Sequence, residues 1–137
     1  MIGQAQGCGL KGGGVVQVLY VDDNELNRKL MRSMLEAAGI PMAEAENAEA
    51  GLALIGAVDF DLVLMDLRMP GMDGLAAIRK IRARRDAKAH VPIIVVTAET
   101  ASDIRRQAEA AGADDLLHKP VQIQTLFETV SRVLAPA

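Results

Sequence analysis

Five short apolar runs, each followed by an amphipathic stretch and then a glycine or proline stop, recur along the chain from Val15 onward. The runs are Val15 to Val21, a weaker segment around Met42 to Glu46, Leu62 to Met65, Pro92 to Val96 and Asp115 to Leu117. The first, third and fourth are nearly continuous in Val, Ile and Leu, as a parallel strand covered on both faces requires. Between the first two runs, Leu30, Met31, Met34, Leu35 and Ala38 recur at helical spacing. Asn24 is placed to cap that helix and Gly39 to end it. Asn47 to Gly56 predicts a second helix with Ala48, Leu52 and Ile55 on one face, and Leu75, Ile78 and Ile81 mark a third. Ser102 to Ala111 and Ile123 to Leu134 complete the alternation. Such βα repetition over about 120 residues implies a parallel sheet wrapped by helices with right-handed crossovers. A ligand site is then expected at the carboxyl ends of the strands.

The 137 residues, half of them hydrophobic, suit one domain with its own core and leave no room for a second. A net charge of -3 gives no basic footprint, so direct DNA binding is not expected. The single cysteine, Cys8, has no partner for an internal disulfide, and no signal segment or membrane-length apolar run occurs. A reduced, cytoplasmic protein without membrane attachment is the resulting expectation. Residues 1–14 are glycine-rich and lack periodicity, which predicts a flexible tail or linker ahead of one domain over residues 15–136. Gly7, Gly9 and Gly12 match G-x-G-x-x-G, but no strand precedes them and no helix follows, so the match is read as chance.

If the runs are strands, Asp22 and Asp23 end the first, Asp66 the third and Thr97 the fourth, with Lys119 just beyond the fifth. Three carboxylates in one small site repel one another and are stable as anions only with a cation. An all-oxygen acidic site suits Mg2+, which keeps some waters and also binds a phosphoryl oxygen. A carboxylate, a metal, a hydroxyl and a lysine together supply an oxygen nucleophile and positive groups for transferring phosphoryl oxygens. Taken singly, each residue has a plainer role: helix-start charge for the acidic pair, a turn for Asp66, a cap for Thr97, a solvated cation for Lys119. No histidine or cysteine joins these positions, which argues against a zinc enzyme or a triad hydrolase. His90 and His118 read as ordinary surface or loop residues. The basic cluster Arg79, Lys80, Arg82, Arg84, Arg85 and Lys88 falls at the end of the third helix, where cations suit the helix dipole; an anionic docking patch is the second reading.

The runs Val18-Leu19-Tyr20-Val21-Asp22-Asp23-Asn24, Leu64-Met65-Asp66 with Met69-Pro70-Gly71-Met72-Asp73-Gly74, Val96-Thr97-Ala98, and Gly112-Ala113-Asp114-Asp115 leading to Lys119-Pro120 resemble the receiver domains of two-component response regulators. The resemblance implies a flavodoxin-like (βα)5 doubly wound parallel sheet in strand order 2-1-3-4-5. It implies that Asp66 accepts a phosphoryl group from a phosphohistidine on a sensor histidine kinase or histidine phosphotransfer protein. Mg2+ would be held by Asp23, Asp66 and the backbone carbonyl of Arg68, with Asp22 acting mostly through water. Lys119 would pair with the phosphoryl oxygens, the Thr97 hydroxyl would move to bond one of them, and the Lys119-Pro120 peptide is expected to be cis.

The resemblance also carries a switch. Phosphorylation would change protein contacts through the face made by the fourth helix, fifth strand and fifth helix, with Thr97 and Leu116 as switch positions. The family usually has Tyr or Phe where this chain has Leu116, and leucine cannot report by ring movement, which implies a muted or altered output. Arg68 and Glu99 stand two residues after the acceptor and the threonine, where an ion pair would partly cover an acyl phosphate. Two other readings remain: a haloacid-dehalogenase-like phosphatase, whose nucleophile would end the first strand in D-x-D form, and a receiver-like binding module that is never phosphorylated. The acidic run Asp22 to Asn27 resembles both stand-alone regulators and receivers of hybrid kinases.

Overall fold

The computed structural model describes residues 16–135, so the predicted tail, with Cys8 and the glycine triplet, lies outside the described residues. In chain order the elements are β1 (Val18–Val21), α1 (Glu25–Glu36), β2 (Met42–Ala45), α2 (Ala48–Ala57), β3 (Leu62–Asp66), α3 (Gly74–Arg82), a short 3-10 turn (Ala87–His90), β4 (Ile93–Thr97), α4 (Ile104–Ala111), β5 (Asp115–His118) and α5 (Ile123–Leu134). The five strands are all parallel in the order β2-β1-β3-β4-β5. This is the flavodoxin-like order that the resemblance implies, and the reversal of chain direction across the sheet falls between β1 and β3.

Strand residues divide by the period of two. Leu19, Val21, Val63, Met65, Ile93, Val95 and Leu116 pack with Ile55 of α2, Ile78 and Ile81 of α3 and Ile104 of α4. Val18, Tyr20, Leu62, Leu64, Ile94, Val96 and Leu117 face Met31 and Leu35 of α1 and Leu126 and Val130 of α5. Every residue of β1, β3 and β4 is buried, which is why those runs are continuously apolar. β2 is half-buried at one edge of the sheet, and its weaker apolar run reflects that position.

The helix starts follow local chemistry. The side chains of Asn24, Asn47 and Asp73 accept from the backbone N–H of Asn27, Ala50 and Ala76, satisfying donors that the first turn leaves free. α1 differs from expectation on one face. Met31 and Leu35 are buried, but Leu30 is 55 % exposed and Ala38 lies beyond the helix end at Glu36. Seating the 31/35 pair on the sheet turns Leu30, about 100° away around the helix, toward solvent. α4 also begins later than predicted, at Ile104, with Ser102 left in the preceding loop.

The basic cluster resolves into separate jobs. Arg79, Lys80 and Arg82 lie in the last turn of α3, as the dipole argument expects, but Arg82 does more. Its guanidinium donates to the carbonyls of Gly112, Ala89 and Val91 at 2.7–2.9 Å and to Asp114 at 3.1 Å, joining α3 to the segments that enter β4 and β5. Gly112 ends α4 with φ +117, and a Cβ there would meet Arg82 Cγ at 2.6 Å. Lys88 Nζ donates to the carbonyls of Ile55, Gly56 and Val58, at the C-terminus of α2 where a cation is favoured. Arg84 pairs with Asp86. Arg82→Met, which keeps the aliphatic stem but removes every donor, is expected to cost about 2–3 kcal/mol by leaving partly buried carbonyls unpaired. Urea denaturation would read this as a lower midpoint at unchanged slope.

Candidate functional site

The carboxyl ends of β1, β3, β4 and β5 deliver the predicted residues to one edge. Asp22 follows β1 and is held in the ladder by its N–H to the carbonyl of Ala45 at 3.1 Å. Asp66 is the last residue of β3, Thr97 the last of β4, and the Lys119 N–H donates to the Thr97 carbonyl at 2.8 Å. Asp22, Asp23 and Asp66 each offer a carboxylate oxygen within 4.8 Å of the others. Asp22, Asp66 and Thr97 are buried, while Asp23 is exposed at the mouth.

Lys119 bridges the two buried carboxylates, with Nζ 2.9 Å from Asp22 Oδ2 and 3.2 Å from Asp66 Oδ1. Asp22 has further donors. The Tyr20 hydroxyl reaches Oδ2 at 2.5 Å, Asn27 Nδ2 reaches the same oxygen at 3.2 Å, and the Asn24 N–H reaches Oδ1 at 2.8 Å. The main-chain oxygen of Asp22 accepts from Arg28 at 2.7 Å, and Arg28 and Arg32 both clamp Glu44 on β2. The Lys119–Pro120 peptide is cis.

These contacts set the charges. Burial alone would raise Asp22, but the hydrogen bonds from Tyr20, the Asn24 N–H and Lys119 outweigh it and hold the carboxyl below the usual range. Asp66 goes the other way: burial and the charge of Asp22 push its carboxyl up, against Lys119 and the Arg68 N–H. Burial disfavours the Lys119 ammonium, yet its bonds to Asp22 and the two negative charges win, and it is held protonated more firmly than a free lysine. Burial, followed by the bond to Asp22, raises the Tyr20 phenol far above its ordinary value, so it remains a donor.

Two predicted residues are placed differently from the rest. The Thr97 hydroxyl accepts from the Glu99 N–H at 3.0 Å within its own loop, so among the described residues its hydrogen-bond partner is that N–H rather than Asp66. Leu116 is buried against the α2–α4 side of the sheet, beside Val95 in register. Arg68, exposed, forms an ion pair with Glu99 of the loop after β4, and both line a groove with Leu67, Pro70, Ile104 and Gln107. His90 and His118 are exposed. Sequence reading missed Tyr20, Asn27 and Gly74. Tyr20 and Asp22 are two apart on one strand and therefore share a face, a signal that was available. Gly74 was not readable as a contact: a Cβ there would meet the Asp66 carbonyl oxygen at 2.2 Å, so only glycine lets α3 start against the end of β3.

A doubly wound parallel sheet carrying three carboxylates, a hydroxyl and an ammonium at its carboxyl edge defines an α/β domain with an acidic site at its switch point, one whose carboxylates could hold a metal ion. The family of the response regulator receiver domain matches residues 18–131. The chain belongs to that family: it is a receiver domain of the two-component phosphorelay type. It is 36% identical over 121 residues to Protein PilH of Pseudomonas aeruginosa, covering 88% of this chain and 99% of that protein. It is 40% identical over 119 residues to the sensor protein GacS of Pseudomonas syringae pv. syringae, covering 83% of this chain but only 13% of GacS. Among solved structures, the receiver domain of sensor histidine kinase PA1611 from Pseudomonas aeruginosa, with a magnesium ion coordinated in its active site cleft, matches at TM-score 0.82 and 29% identity over 90% of this chain and 100% of that one. The chemotaxis protein CheY4 of Vibrio cholerae matches at TM-score 0.81 and 30% identity, over 88% and 99%. The chain spans 4% of hybrid signal transduction histidine kinase G of Dictyostelium discoideum, a further relative at 36% identity. No helix among the described residues is long and apolar enough to cross a membrane.

The opposed shifts of the two carboxyls have a consequence for stability. Because the Asp66 carboxyl is raised in the fold, its stability contribution is present below the unfolded value and lost as pH rises through the folded one. In metal-free buffer at neutral pH, Asp66→Asn is therefore expected to raise the melting temperature by on the order of a few degrees. The gain shrinks as pH falls through the carboxylate range, where Asp66 is itself protonated. Calorimetry of both proteins from neutral to acid pH checks this.

Proposed function

We propose that Asp66 is the phosphoryl acceptor, taking the group from a phosphohistidine of a sensor histidine kinase or a histidine phosphotransfer protein. The carrying observation is the single ammonium of Lys119 set between Asp22 and Asp66 at the mouth of an all-oxygen acidic site. A carboxylate oxygen of Asp66 attacks phosphorus, the P–N bond breaks, and its electron pair remains on the departing imidazole nitrogen. Lys119 then turns to the phosphoryl oxygens, where its charge offsets the negative charge that develops.

The donor set fits a hard cation: three clustered carboxylates, two of them buried, with one lysine between them, hold more negative charge than the protein alone neutralises. Asp23, Asp66 and the Arg68 backbone carbonyl would hold Mg2+, with Asp22 beside them. When bound, Mg2+ would supply positive charge to these carboxylates and to a phosphoryl oxygen. The protein acts as a phosphoacceptor switch, with self-catalysed transfer and autodephosphorylation as its only turnover, in the cytoplasm and without direct DNA contact. Its output is a change of protein contacts on the α4-β5-α5 face, where Asp115 pairs with Arg105 of α4 and Arg132 of α5. Thr97 must give up the Glu99 N–H to reach a phosphoryl group, and Leu116 follows by packing rather than ring rotation. The phosphatase reading has no observation in its favour, since the acceptor candidate paired with Lys119 ends β3 and the first strand lacks D-x-D.

Two experiments bear on this. Incubation with Mg2+ and acetyl phosphate is expected to add one acid-labile phosphoryl mass to the wild type and none to Asp66→Asn; an unmodified wild type defeats the acceptor assignment. Glu99→Ala opens the Arg68–Glu99 cover and is expected to shorten the phosphoryl half-life by roughly two- to fivefold, the modest range open to an exposed ion pair. An unchanged half-life removes the cover from the mechanism.

A further inference from the structure

We infer that Tyr20 is a positioning residue for phosphotransfer: its buried hydroxyl secures Asp22 so that Lys119 can leave that carboxylate for the phosphoryl oxygens. The inference rests on the reading of Asp66 as acceptor.

Lys119 has two duties that compete. Before transfer it lies 2.9 Å from Asp22 and 3.2 Å from Asp66. After transfer, a group carrying roughly 1.5 to 2 negative charges on Asp66 draws it away. Asp22 is 0 % exposed, so the departing ammonium leaves it to the groups already gathered in the site. A buried carboxylate stripped of a donor is costly, and that cost would oppose transfer.

Tyr20 meets this difficulty. It is 1 % exposed, and its ring belongs to the buried cluster that includes Met31, Leu35 and Leu64. Its hydroxyl therefore comes from the immobile side of the site, at 2.5 Å, the shortest of the contacts to Asp22. A neutral phenol on a strand cannot follow the phosphoryl group, whereas a lysine on a flexible stem can. Asn27 adds a longer bond of 3.2 Å to the same oxygen from partly exposed α1, and the Asn24 N–H holds the other oxygen at 2.8 Å. Asp22 thus keeps three protein donors when Lys119 goes. A tyrosine acting only as core filler would lose stability on losing its hydroxyl, without distinguishing the phosphoryl-loaded state from the state with metal alone.

Beryllofluoride, a non-covalent stand-in for the phosphoryl group, separates these roles. The full chain is titrated first with Mg2+ alone and then, at saturating Mg2+, with beryllofluoride, following amide shifts by NMR. Tyr20→Phe is expected to weaken beryllofluoride binding by about tenfold, a fraction of the worth of a charge-assisted hydrogen bond. Mg2+ affinity stays within about twofold, because Lys119 has not yet been asked to move. In a Lys119→Met background there is no lysine to release, and Tyr20→Phe produces no further loss. Asn27→Ala shows the same pattern at smaller size and carries the test if Tyr20→Phe does not fold. Equal beryllofluoride affinity in variant and wild type, or an equal loss for Mg2+ and beryllofluoride, overturns the role of Tyr20. Failure of the wild type to bind beryllofluoride overturns the acceptor reading instead.

Discussion

One ammonium group holds the carboxyl edge of this sheet together. Lys119 arrives from beyond β5 and reaches carboxylates contributed by β1 and β3, so a single side chain spans the crevice where the chain reverses direction. Without it, Asp66 would be a buried carboxylate facing Asp22, and its raised carboxyl shows that it is under-compensated even with Lys119 in place, whereas Asp22, held below the usual range, has donors to spare. The rest of the fold serves this placement. The continuous burial of β1, β3 and β4 fixes the strand ends, and the absence of a side chain at Gly74 lets α3 begin directly against the Asp66 backbone.

Much of this was legible in the amino-acid order because it rests on periodic or obligatory features. Strands buried on both sides must be apolar throughout, and β1, β3 and β4 announce themselves that way. Asn24 stands where the first helix needs a side-chain acceptor and supplies one, while Asn47, expected inside the second helix, caps it instead. The strand-end residues could be gathered from topology alone, since parallel strands bring their carboxyl ends to one edge. What escaped depends on distances between segments far apart in the chain. Arg82 looked like one more cation in a basic cluster, yet its partners lie around Ala89, Val91 and Gly112. Leu30 fits the apolar spacing of α1 but faces solvent, because periodicity marks a stripe without saying which edge of it meets the sheet. Tyr20 is the exception: its partner Asp22 lies two residues on along the same face, so this contact was local and within reach of the strand period.

The ends of β4 and β5 are built from different parts. Thr97 is tied to the Glu99 N–H, and Glu99 to Arg68, so the loop after β4 is linked to the loop after β3 by a chain of two contacts over the opening. Leu116 lies in the core beside Val95 of β4, and Asp115 next to it gathers arginines from α4 and α5. An aliphatic side chain and an ion cluster thus stand side by side at the start of β5.

The two-sided alternation of the strands has an evolutionary consequence. By parity, Tyr20, Asp22, Asp66 and Lys119 go with the α1 and α5 side of the sheet, while Thr97 and Leu116 go with the α2 to α4 side. Substitutions that repack Leu116 against α2 to α4 can therefore accumulate on one side while Asp22, Asp66 and Lys119 on the other stay in place. Such a domain can be handed from one signalling pathway to another without relearning its reaction.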